Sequence, residues 1–263
     1  MTIVESPSYP SSPPATATSY VLVTGVEQAE GARAATALSA AGHTVLAHSF
    51  SPAAADALAL EITDAGGSAH PLAADLTVES EVERLFTHLE HRFGGISALV
   101  HTAWLPGPET ACHPLAEIRP ADWGRFTYDH MALLFHTTRR AAESIRRTKR
   151  IGSIVTVTGL GSPTAPAHAP VTAAGPARTS ISGAVESFTV AAGQHPDTAT
   201  VRINGIRLVA ETATSGDDGD TVPNLDSLLA RMVDPVSEIG SGHIFAAHLS
   251  RPLTPVHAAS SRI

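Results

Sequence analysis

Apolar positions along this chain come in short continuous runs separated by longer stretches of helical spacing. The first run is Tyr20-Val21-Leu22-Val23, broken by Thr24-Gly25 and followed by a helical pattern over residues 29–41 that Gly42 closes. Residues 43–48 form the second run. Short runs without apolar/polar alternation suit strands buried on both faces, and a helix between two of them suits a crossover connection. The same order repeats down the chain. Helices are expected over 52–65, 78–93, 121–148 and 176–193, and strands over 69–73, 96–101, 151–158 and 200–206. Two closing helices are expected over 225–232 and 235–249. Asp75 or Thr77 can cap the helix at 78–93, whose Glu79, Glu81 and Glu83 favour its N-terminal end.

Strands alternating with helices predict an α/β fold, a doubly wound and mostly parallel sheet with helices on both faces, Rossmann-like in its opening unit. Residues 20–250 form the one domain. A Pro/Ser-rich arm at 1–19 is expected to be disordered, and a tail at 251–263 carries at most a short strand near 253–256. The loops following Val23, His101, Thr158 and Ile206 face one crevice at the carboxyl ends of the strands, where ligands of such sheets bind.

Composition narrows the function classes. A length of 263 residues suits a single domain with a large core. Cys112 is the only cysteine, which removes intrachain disulfides and thiolate metal clusters and favours a reducing, cytoplasmic setting. The net charge of −8 argues against nucleic acid, and no apolar run approaches a membrane span. Arg139, Arg140, Arg146, Arg147, Lys149 and Arg150 cluster at the end of the 121–148 helix, where they read as a solvated end complementing the helix dipole. Among fourteen histidines, His88 and His91 lie three apart on one helix, but no third ligand is implied and no metal is expected.

Several local motifs, in order, resemble the short-chain dehydrogenase/reductase family from about residue 20 to 249. Thr24-Gly25-Val26-Glu27-Gln28-Ala29-Glu30-Gly31 is similar to its TGxxxGxG turn, Asp75-Leu76-Thr77 to its adenine-side Asp motif, and Gly152-Ser153-Ile154-Val155 to the start of its fifth strand. Arg202-Ile203-Asn204-Gly205-Ile206, with Thr212 after it, resembles the sixth-strand signature, and residues 235–239 resemble the opening of the last helix. The resemblance implies cofactor contacts at Thr24, Gly25, Gly31 and Asp75. It also implies an oligomer, homo- or hetero-, built through helices 121–148 and 176–193.

The departures fall on the chemistry. Ala29 replaces the turn's middle glycine, and His101-Thr102-Ala103-Trp104 stands where the family has NNAG, so that an indole can fill the cofactor's place. His48-Ser49-Phe50 ends the second strand with neither an acid for a ribose hydroxyl nor a base for a phosphate; Arg33 reads first as a solvated helix arginine, with a phosphate contact as the alternative. The family's serine falls on Gly159 beside Thr158, its tyrosine and lysine on Arg178 and Ser182, and its asparagine on His130. The turn and residues 38–45 also resemble halohydrin dehalogenases, whose Ser-Tyr-Arg set is incomplete here because Ala174 precedes Arg178 by four.

The expectation is therefore a chain with no cofactor, NAD(P) being the alternative, and three readings of function. The first is a non-catalytic subunit or scaffold beside an active paralogue. The second is an enzyme for a non-redox step such as isomerisation, cyclisation, dehydration or epoxide chemistry on a small molecule. His130, Thr158 and Arg178 are its candidate acid–base and oxyanion groups, with His101, Ser162 and His168 nearby. The third is an atypical NADP-dependent oxidoreductase.

Overall fold

The computed structural model describes residues 18–105, 115–159, 175–195, 200–209 and 222–249. Its strands are β1 (Tyr20–Thr24), β2 (Thr44–Ser49), β3 (Ser68–Ala73), β4 (Ala98–His101), β5 (Gly152–Thr158), β6 (Val201–Val209) and β7 (Ile244–His248). They form one sheet in the order β3-β2-β1-β4-β5-β6-β7, with every pairing parallel. The connecting helices are α1 (Ala29–Ala40), α2 (Pro52–Asp64), α3 (Glu79–Phe93), α4 (Pro120–Arg147), α5 (Gly175–Gly193) and α6 (Leu225–Val233). Strand order reverses between β1 and β4, which puts the crevice over the ends of those two strands.

The unbroken apolar runs follow from burial on both faces. Val21 and Val23 join Val45, Val100 and Val155 in a core under α1 and α6, while Leu22 joins Leu46, Leu99 and Ile154 in a second core under α3 and α4. Each strand serves two cores, so alternation disappears from its sequence. A third cluster, built on Phe126, Leu134, Ile181 and Val185, joins α4 to α5. At one edge of the sheet, β3 carries Pro71 in register with Ala47.

Two expectations need correction. Residues 235–249 hold a seventh strand and not a closing helix. Gly205 donates its N–H to the His243 carbonyl at 2.8 Å, and Gly205 to Val209 pair in register with Ile244 to His248. The open edge of β6 offers backbone partners that local spacing cannot reveal, and tertiary pairing overrides the helical pattern. The basic end of α4 is likewise only partly a solvated tip: Arg146, Arg147, Lys149 and Arg150 are exposed, but Arg139 and Arg140 turn onto α3. Arg140 is only 4% exposed and lies within ion-pair distance of Glu83 (2.8 Å), Glu90 (3.4 Å) and Glu143 (2.7 Å), its guanidinium 5.4 Å from the Phe86 ring. Arg139 reaches Glu83 and, at 3.0 Å, Glu143, and Arg147 reaches Glu90 at 3.2 Å. The acids of α3 and the arginines of α4 thus bind the two helices together. The arm, the tail with its strand near 253–256, Cys112, Ser162, His168 and Thr212 lie outside the described residues. Among those described, no helix is long and apolar enough to cross a membrane.

Arg140→Ala should therefore remove the buried arginine that joins Glu83 and Glu90 of α3 to Glu143 of α4, leaving those acids to the more exposed Arg139 and Arg147. Removing one member of a buried ion pair costs about 3 kcal/mol, which for a domain of this size lowers the melting temperature by roughly 6–12 °C. Thermal unfolding followed by circular dichroism measures it.

Candidate functional site

The crevice begins at the turn between β1 and α1. Gly25 sits at φ 75°, and a Cβ there would lie 2.6 Å from the Ala103 backbone, so the residue must be glycine. At Gly31 a Cβ would lie 2.2 Å from the Gly25 carbonyl oxygen and 2.6 Å from the Thr102 hydroxyl. Both glycines answer to packing. Ala29, between them, is exposed, and only a ligand would press on its methyl group. Gln28 caps α1 with extended backbone and no side-chain hydrogen bond, so the first turn of α1 is capped only by the Glu30 carboxyl on its own N–H. Thr24 is fully buried, its hydroxyl 3.1 Å from His101 Nδ1 and its carbonyl accepting from the Thr102 hydroxyl.

The floor of the crevice is a row of neutral polar groups. Register places His48 and His101 on either side of Thr24. Burial pushes His48 down to about 4, although its ring also meets the Ala74 carbonyl at 3.0 Å. Burial pushes His101 down to about 3, with His48 and His130 as lesser contributors.

Towards α5 the crevice narrows around Trp104. Its carbonyl accepts from Gln28 Nε2 at 2.6 Å, and its indole Nε1–H points at the Val157 carbonyl at 3.4 Å. The ring lies 5.4 Å from that of His130, and the Arg178 guanidinium is 5.9 Å from its centroid. His130 has both ring nitrogens engaged. Nδ1 lies 2.8 Å from the Phe126 carbonyl and Nε2 accepts the Leu105 N–H at 3.2 Å, a pattern that requires the neutral imidazole. Burial is also the main reason its pKa falls to about 4. His130 and Arg178 therefore meet at Trp104. Thr158 does not join them. Its hydroxyl donates to Glu186 at 2.8 Å, and Glu186 pairs with Arg207. Arg33 is equally committed, its Nε 2.7 Å from Asp226 of α6.

Glu30 belongs in this site and was not among the expected residues. It stands in the first turn of α1, burial raises its carboxyl pKa, and its own backbone N–H and the charge of Arg178 pull the other way. The signal was an acid between Ala29 and Gly31, at a helix N-terminus that otherwise welcomes a ligand's anion.

On the other side of Trp104 is a cavity of about 520 Å³ lined by Phe50, Asp75, Thr77, Leu105 and residues from the start of α4. Asp75 shapes its rim by accepting the Thr77 N–H at 2.9 Å and the Thr77 hydroxyl at 2.6 Å.

Residues 19–215 match the family model for short chain dehydrogenases. The chain belongs to the short chain dehydrogenase family. A short-chain type dehydrogenase/reductase from Mycobacterium marinum superposes with a TM-score of 0.70 at 19% identity, covering 88% of this chain and 93% of that one. A 3-ketoacyl-ACP reductase from Sinorhizobium meliloti 1021 gives 0.68 at 19% identity, covering 87% and 97%. A gluconate 5-dehydrogenase from Burkholderia cenocepacia J2315, in complex with NADP and tartrate, gives 0.69 at 19% identity, covering 88% and 93%. A search of curated proteins finds no match.

These findings overturn the expectation of a chain with no cofactor, since the family is one of dehydrogenases and a structural neighbour holds NADP. The geometry supplies the physical reason. The Trp104 indole turns towards Val157, His130 and Arg178, so it does not fill the cavity beside Phe50 and Asp75. The glycine turn, the start of α1 and that cavity fit the pyrophosphate and adenosine of a dinucleotide.

Neutral His48 and His101 make stability depend on pH. In the unfolded chain they take up protons below about 6.5, whereas in the fold they stay neutral down to about 4 and 3. Their contribution is complete above pH 6.5 and drains as pH falls through that window. For His48 alone the loss is on the order of 3 kcal/mol. Urea unfolding at pH 7.5 and pH 5 should show it, and equal stabilities would contradict the assignment.

Proposed function

We propose that this chain is a dinucleotide-binding member of the short chain dehydrogenase family that has given up phenol-driven hydride transfer and serves as a non-catalytic subunit. One observation carries the reading. On α5, the positions where the family resemblance puts tyrosine and lysine hold Arg178, laid over Trp104, and Ser182. A phenol can donate its proton to a carbonyl oxygen, but a guanidinium keeps its proton at neutral pH. No tyrosine elsewhere supplies the pair. Tyr9, Tyr20 and Tyr128 are followed four places on by Pro13, Thr24 and Ala132, and the single lysine, Lys149, follows α4. Bound in the crevice, NAD(P) would bring a hydride-carrying nicotinamide; this chain's Gly25 turn, α1 N–H groups and Asp75 would hold it.

The subunit role is supported by the surface of α4. Tyr128 and Phe135, seven residues apart on that helix, are 72% and 51% exposed, beside the α4–α5 contact. A second copy of the chain, or an active relative, would cover them.

A second reading is favoured by Glu30. A half-buried carboxyl of raised pKa within reach of the Arg178 charge suits acid–base work on a non-redox substrate, and Glu30 rather than the fully engaged His130 would carry it.

The purified chain titrated with NADH and NADPH should show saturable quenching of indole fluorescence and no nucleotide consumption with carbonyl compounds. Turnover by the chain alone sinks the non-catalytic reading, and the absence of any binding sinks the dinucleotide part. Glu30→Gln should tighten nucleotide binding about tenfold by removing a carboxylate beside the pyrophosphate. Under the second reading the same change abolishes activity. Phe135→Asp should shift the chain to a smaller species in size-exclusion chromatography.

A further inference from the structure

We infer that the dinucleotide accepted by this crevice is NAD(H) and not NADP(H), an inference that rests on the dinucleotide reading above. The cavity opens at the carboxyl ends of β2, β3 and β4, through Phe50, Asp75 and Leu105, and is closed by α4. Phe50, Leu105 and Phe126 give it apolar surface on which a purine can lie. Its charge has the opposite sign from a phosphate site. Asp75, Asp122 and Asp129 line it against one cation, Arg125. Asp122 is neutralised by Arg119 at 2.7 Å, which leaves Asp75 and Asp129 facing Arg125. Just outside, Glu81 accepts the Asp75 N–H at 2.8 Å, its carboxylate paired with Arg84 at 3.5 Å.

The segment that ends β2 decides the matter, because the ribose passes it between the pyrophosphate and the base. Here it reads His48-Ser49-Phe50-Ser51. His48 is buried against the Ala74 carbonyl, the Ser49 hydroxyl accepts the Ser51 N–H at 2.9 Å, and Phe50 packs edge-on to His48. None of the four offers a cation. A 2′-phosphate needs a guanidinium or ammonium to compensate its desolvation. Here the guanidinium of the cavity, Arg125, is outnumbered by the carboxylates of Asp75 and Asp129. A 2′-hydroxyl carries no charge and can donate to one of them.

Isothermal titration of the full chain with 5′-AMP and with 2′,5′-ADP reads the adenosine pocket without the nicotinamide end. NADH and NADPH are then compared in the same way. AMP and NADH should bind at least about tenfold more tightly than their 2′-phosphorylated counterparts. Phe50→Arg should close most of that gap by strengthening the phosphorylated ligands. Equal or tighter binding of 2′,5′-ADP and NADPH by the unaltered chain overturns the NAD(H) inference and leaves the dinucleotide reading standing. If none of the four ligands binds, both fall.

Discussion

The closest backbone approach at the switch point governs the rest of the site. The start of α1 lies so tightly on the β1 turn that a single methyl group at Gly31 would collide with the Gly25 carbonyl oxygen. That contact fixes the direction of α1 and hence where its first-turn N–H groups point. It also holds Thr102 under the turn, so the chain leaving β4 must run past the mouth of the crevice. Trp104, Leu105 and the His130 peg all take their places from this path. Selection on shape and selection on ligand contact therefore separate within one short motif. Gly25 and Gly31 are required by packing, while Ala29 answers only to what enters the crevice.

The crevice has two ends with different characters. At the β2–β3 end, carboxylates ring an apolar cavity, and the nearby histidines are held neutral by burial. At the α5 end, the Arg178 guanidinium lies over the Trp104 indole, and its charge reaches the Glu30 carboxyl. The first end is suited to recognition. The second carries a permanent cation, Arg178, over the Trp104 ring, and a guanidinium keeps its proton beside anything held there.

How much of this was legible in the sequence depends on the range of the interaction. Val21, Leu22 and Val23 could be read as a doubly buried strand because both of their cores are apolar. The turn could be read because Gly25 and Gly31 are local. β7 could not, because its partner is the open edge of β6, about forty residues earlier. Arg140 looked like a helix-end charge until α3 brought Glu83 and Glu90 against it. Trp104 could be located near the cofactor's path, but the direction of its ring depends on Val157, His130 and Arg178, which come from three other elements. Glu30 was visible all along; its burial was not.

Pro71 has a consequence for how such molecules meet one another. β3 is an outer strand, and proline removes one N–H from the row that an incoming strand would need. At the opposite margin β7 is only five residues long. A sheet so trimmed is a poor template for strand-by-strand growth into larger aggregates. Contacts between whole molecules are then left to side chains on the helical layers, where shape and charge can discriminate one partner from another.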